Sequence, residues 1–126
     1  MSTRFGSAFS VSLAQHGAVM VAHVTGELDP STVPTLRESL RPLWERSDLT
    51  AVVLDTAGVP FCDSMGVNGI IGVMKTCQAA GKRFLLSGVH GTLARFLTAT
   101  GLRRAFEIHD SADEAVRAAA PGKGSA

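Results

Sequence analysis

Asp63-Ser64-Met65-Gly66 marks the point where one residue pattern gives way to another. Upstream, Ala51-Val52-Val53-Leu54-Asp55 is a short apolar run ending in an acid, which suits a central parallel strand buried on both faces. Downstream, Val67, Ile70, Ile71, Met74 and Cys77 recur at helical spacing, predicting a helix from about Ser64 to Ala80 that Gly81 terminates. A strand, a loop through Phe61 and a helix opening on a hydroxyl residue make an α/β unit. The start of such a helix favours added negative charge, because its first N–H groups lack helical acceptors and its dipole is positive there.

The pattern extends in both directions. Phe9, Val11 and Leu13 alternate with smaller residues as in a half-exposed strand, Gln15-His16-Gly17 supplies a turn, and Val19, Met20, Val21 and Val24 form a more central strand. The two predict an antiparallel hairpin. After the loop Thr25-Gly26-Glu27-Leu28-Asp29-Pro30, a helix should start near Ser31, with Pro34 among its first residues. Its core stripe is Val33, Leu36, Leu40, Leu43 and Trp44, and Pro42 predicts a kink or a stop near Arg41. Arg83 to Ser87 reads as a strand, Leu93, Phe96 and Leu97 as a helix closed by Gly101, and Phe106 to Ile108 as a short strand. Ser111-Ala112-Asp113-Glu114 has capping-box spacing and opens a last helix through about Ala119.

Alternation of strands and helices after a hairpin predicts a single α/β domain over residues 8–120. Its sheet should be mixed and largely parallel, with about four or five strands and about four helices. Residues 1–7 and 121–126 are expected to be flexible ends. Sites in such sheets favour loops beyond the strand carboxyl ends. The loops at 25–30, 56–64 and 87–91 all leave strands that way, which predicts Asp29, Asp63 and Ser64 on one rim.

Composition narrows the function. The 126 residues are 45% hydrophobic and 18% charged, enough for a core without disulfides or metal. Twelve basic and eleven acidic residues leave a net charge of +1, which disfavours nucleic acid or an anionic membrane as partner. Cys62 and Cys77 match no zinc or redox spacing, no export signal opens the chain, and apolar runs are too short to span a membrane. The expectation is a cytoplasmic protein with reduced thiols. His16, His23, His90 and His109 show no metal-ligand spacing, and no catalytic triad, metal site or cofactor fingerprint is present, so no enzyme is expected. Cys62 lacks a paired base and reads as a small core residue. Lys82-Arg83 and Arg103-Arg104 read most simply as solvated charges.

Three stretches, in order, resemble the STAS family of bacterial anti-sigma factor antagonists. They are His23-Val24-Thr25-Gly26-Glu27-Leu28-Asp29; Val52-Val53-Leu54-Asp55 followed by Phe61-Cys62-Asp63-Ser64-Met65-Gly66-Val67; and Leu93 to Leu102, with Phe96-Leu97 and Gly101-Leu102. The resemblance spans about residues 8 to 118. It implies a non-enzymatic switch without cofactor, in which Ser64 is phosphorylated by an anti-sigma factor that is itself a serine kinase. The unphosphorylated form would bind that factor and free a sigma factor, and a phosphoserine phosphatase would reset it. Glu27, Asp29, Asp63, Met65 and Gly66 are the implied partner-binding residues. Met65 replaces the family's second small residue, leaving one hydroxyl, and Val67-Asn68 replaces Leu-Gly.

Simpler readings stand beside these. A serine at a helix start is most simply a cap, Asp63 a cap or turn former, and Asp29 a residue that holds its loop. Binding through one rim is compatible with a monomer. The competing functions are a nucleotide- or small-ligand-binding module and a signalling scaffold on the same fold.

Overall fold

The computed structural model describes residues 9–120; the ends expected to be flexible lie outside them. Five strands form one sheet in the order β1 (Ser10–His16), β2 (Val19–Thr25), β3 (Ala51–Gly58), β4 (Arg83–Ser87) and β5 (Glu107–His109). The β1–β2 pair is antiparallel, and all the others are parallel. Between the parallel strands run α1 (Val33–Leu40), α2 (Ser64–Ala79) and α3 (Gly91–Thr100), and α4 (Ala112–Ala119) closes the chain.

Strand alternation divides the interior in two. Met20, Ala22, Val24, Val52, Leu54, Phe84 and Leu86 face the large core, where Leu36 and Leu40 of α1, Val67, Ile70 and Val73 of α2, and Leu93 and Leu97 of α3 pack. Val19, Val21, Ala51, Val53 and Leu85 face the other way, against Ala115 and Ala119 of α4. The sheet is therefore covered by three helices on one side and one short helix on the other. Burial on both faces explains why β2 and β3 read as nearly continuous apolar runs.

The structure differs from the sequence reading at several points. Helix α1 begins at Val33 rather than Ser31, because the Asp29 carboxylate holds residues 31 and 32 in a turn. It ends at Leu40 and passes into a short 3-10 helix, Arg41–Glu45, as Pro42 requires. Strand β3 runs three residues past Asp55, and β5 starts after Phe106, which is buried. Leu13 remains 43% exposed because β1 is an edge strand at the margin of the helical layer. On α2, Val73 is buried while Ile71 and Met74 are only partly covered.

Lys82 is the clearest correction. It is buried rather than solvated, and its ammonium donates to the carbonyls of Arg46 (2.7 Å) and Leu49 (3.2 Å). It thereby ties the chain entering β3 to the end of α2. Arg83 is exposed but paired with Glu107 on the neighbouring strand.

Candidate functional site

The rim at the carboxyl ends of the strands is assembled by backbone bonds between distant loops. Leu28 and Cys62 form an isolated parallel bridge. Leu28 N–H donates to Phe61 O (2.9 Å) and Asp63 N–H donates back to Leu28 O (3.2 Å). The third loop joins through Thr92 Oγ1, which accepts from Cys62 N–H at 2.9 Å, and through the His90 ring against Ala57 O at 3.0 Å. The three loops expected on one rim are thus side by side. Gly26, at φ +108°, lets the chain leave β2 in a conformation that side chains oppose, and Phe9 packs where a Cβ would sit.

Asp63 is the N-cap of α2. Its backbone is extended, and Oδ1 accepts from Gly66 N–H at 2.8 Å. Val67 N–H bonds to Asp63 O. Ser64 is therefore the first helical residue and not the cap. It is exposed, and among the described residues its hydroxyl makes no hydrogen bond. The N–H groups of Ser64 and Met65 likewise find no acceptor there. Capping by Asp63 leaves the Ser64 oxygen free for chemistry from outside.

The residues around it divide by role. Met65 is 51% exposed and Phe61 42%, so two large apolar side chains within three residues of Ser64 in the chain are open to solvent. Phe61 was not singled out from the sequence; its position one residue before a buried cysteine gives no signal of exposure. Gly66 is buried, and a Cβ there would lie 2.5 Å from Leu28 O and 2.8 Å from Cys62 Sγ, so it lets α2 press against the 28 loop. Glu27 is exposed, and its carbonyl accepts from Thr32 Oγ1. Asp29 Oδ1 accepts from Ser31 N–H, Ser31 Oγ–H and Thr32 N–H. These bonds, led by the Ser31 hydroxyl, hold its carboxyl below the usual range. Its second carboxylate oxygen is the one left over.

Burial pushes the Cys62 thiol up to about 12, with the Asp63 charge adding to the effect, so it is no nucleophile at neutral pH. A row of polar residues crosses the α4 face of the sheet at the same strand ends: His23, Asp55, Ser87 and His109 are in register on β2 to β5. His23 Nδ1 lies 2.7 Å from Asp55 Oδ2, and Ser87 Oγ–H donates to Asp55 Oδ1 at 3.3 Å. The carboxylate stands between the serine and the histidine, so the histidine is not placed to take the serine proton. Among the described residues, no group of three or more His, Cys, Asp or Glu side chains is arranged to hold a metal, and no helix is long and apolar enough to cross a membrane.

Comparison with known proteins agrees with this architecture. The STAS domain family model matches residues 10–115. The anti-sigma-B factor antagonist of Staphylococcus aureus is 31% identical over 91 residues, covering 71% of this chain and 82% of that protein. The anti-sigma F factor antagonist of Paenibacillus polymyxa is 26% identical over 101 residues, covering 80% and 86%. The crystal structure of an anti-sigma factor antagonist from Mycobacterium paratuberculosis superimposes with a TM-score of 0.77 at 26% identity, covering 89% of this chain and 94% of that one. SpoIIAA, solved in an unphosphorylated form and, from Bacillus, in a phosphorylated form, shares the fold with TM-scores of 0.68 and 0.65 at 22% and 23% identity. Those two comparisons cover 88% and 87% of this chain and 96% and 97% of SpoIIAA. This chain belongs to the STAS domain family of anti-sigma factor antagonists.

Proposed function

We propose that the chain is a partner switch controlled at Ser64. Unphosphorylated, it binds an anti-sigma factor that is also a serine kinase and so releases a sigma factor. The kinase transfers the γ-phosphoryl group of ATP to Ser64 Oγ: the Oγ–P bond forms as the bond between the γ-phosphorus and the bridging oxygen breaks, a general base of the kinase takes the serine proton, and ADP departs. A phosphoserine phosphatase restores the hydroxyl. The observation that carries this reading is the free, exposed Ser64 hydroxyl at the start of α2, with the capping role taken by Asp63.

The chemistry suits a switch that acts at the surface. Phosphoserine carries about −1.5 to −2 charge at neutral pH. The free N–H groups of Ser64 and Met65 and the helix dipole favour that charge, while the neighbouring Asp63 carboxylate opposes it. The fold therefore changes little, and the effect falls on whatever is docked over Ser64. Phe61 and Met65 supply apolar contact beside the serine, with Glu27, Asp29 and Asp63 as a polar border and Gly66 keeping the loops closed beneath. Placing a dianion in that docked surface costs desolvation and like-charge repulsion. About 1.4 kcal/mol is already a tenfold loss.

The test is co-purification from the native cell, phosphosite mapping, and binding of the captured kinase-like partner. Ser64→Ala should bind constitutively and accept no phosphate, and Ser64→Asp should bind at least tenfold more weakly. Equal binding by wild type and Ser64→Asp, or phosphate found only elsewhere, would refute the reading.

A further inference from the structure

Helix α2 presents glycines at 66, 69 and 72, and the third is unlike the others. Gly66 is pressed against Leu28 and Cys62, and Gly69 against Val33, whose methyls lie 2.7 and 2.9 Å from a Cβ built there. Both are required by close packing. A Cβ on Gly72 would meet only Arg37 Nη2, at 3.5 Å. Packing does not explain this glycine; its effect is to leave a hollow open between α1 and α2.

That hollow has a volume of about 370 Å³, within the range of small-molecule sites. Leu40 and Val73 form its apolar floor, and Arg37, Arg41 and Trp44 form its α1-side wall. Among the described residues nothing accepts from the Arg37 guanidinium, whereas Arg41 is already paired with Glu38 at 2.6 Å. The Thr76 hydroxyl donates to Gly72 O and so has no proton to offer a ligand. The wall therefore presents one uncompensated positive charge beside an indole and aliphatic carbons. A single negative charge on a flat apolar body complements it.

We propose that this hollow is a binding site for small aromatic carboxylates, with Arg37 holding the carboxylate and Trp44 lying against the ring. The site is separate from the Ser64 rim. Ser64 and Gly72 are eight residues apart, about 12 Å along the helix.

Trp44 is the chain's one tryptophan, so a single indole N–H resonance reports on the site. Titration of the ¹⁵N-labelled protein with indole-3-acetate and with benzoate should shift that resonance to saturation. Acetate, which lacks the ring, and benzyl alcohol, which lacks the charge, should leave it in place. Arg37→Ala should weaken binding at least tenfold, Arg37→Lys less, and Gly72→Met should abolish it by filling the hollow. The dispersed amide spectrum checks that each variant is folded, and Arg37→Ala decides should Gly72→Met disturb α2. Absence of a saturable shift, an equal response to acetate, or binding unchanged in Arg37→Ala would overturn the assignment.

Discussion

One substitution, glycine to alanine, should have opposite signs at two positions of the same helix. Alanine is favoured over glycine in a helix interior by about 1 kcal/mol. At Gly72 the new methyl meets only the mobile end of Arg37 at an ordinary 3.5 Å, so Gly72→Ala should stabilise by about 0.5–1 kcal/mol. At Gly66 it would stand 2.5 Å from Leu28 O, 3.0 Å from Leu28 C and 2.8 Å from Cys62 Sγ. Two of these are backbone atoms and cannot rotate away. Relief requires moving the 28 loop, which strains the bonds Leu28 N–Phe61 O and Asp63 N–Leu28 O. Overpacking costs about 1–3 kcal/mol, and each weakened bond adds about 0.5–1.5 kcal/mol. Net of the propensity gain, Gly66→Ala should destabilise by about 1–5 kcal/mol. Gly69→Ala should fall between, since Val33 is a side chain but a stiff, buried one. Urea unfolding followed by circular dichroism measures all three. If Gly66→Ala and Gly72→Ala agreed within about 0.5 kcal/mol, the close approach of α2 to the 28 loop, on which the rim depends, would be wrong.

Other expectations follow from single contacts. Lys82→Met removes the donor to two carbonyls in a buried setting and should cost about 1–3 kcal/mol in the same unfolding experiment; no loss would mean those carbonyls are solvated. Cys62 and Cys77, both pushed up to about 12 by burial, should resist a thiol reagent at pH 8 until the protein unfolds, and rapid native labelling would contradict their burial. Glu107 is held below its ordinary range by the Arg83 guanidinium first and by His109 second. A lowered carboxylate stabilises above its unfolded value of about 4.3 and loses that contribution as pH falls through the folded value. Thermal scans from pH 7 to 3 should therefore show Glu107→Gln less stable than wild type at neutral pH, with the gap closing in acid. A gap that does not narrow as the pH falls would assign the loss to packing instead.

The order of elements was legible because each one carries a local signature. Period-two alternation gave β1, apolar runs gave β2 to β4, helical spacing gave α1 to α3, and the Ser111–Glu114 capping box gave α4. The rim was legible one step further on, since parallel crossovers force the loops at 25–30, 56–64 and 87–91 to one end. The errors lie where a specific hydrogen bond, local or distant, overrides the residue pattern. Asp29 set the start of α1 by drawing Ser31 and Thr32 into its own turn, and Lys82 found acceptors more than thirty residues away. His23 and Asp55 became partners only through the β2–β3 register.

The chain's own order of residues determined the α/β class, the hairpin start and the placing of Ser64 at a helix opening, because hydrophobic period and punctuation act over a few residues. Asp63 as a cap was already among the local readings, and its bond to Gly66 three residues on made it the one realised. Tertiary structure alone decided that Phe61 joins Met65 in solvent, and that Gly72 faces a hollow while Gly66 faces a carbonyl. Each of these depends on which atoms occupy the space beside a residue, and loops and helices far away in sequence fill that space.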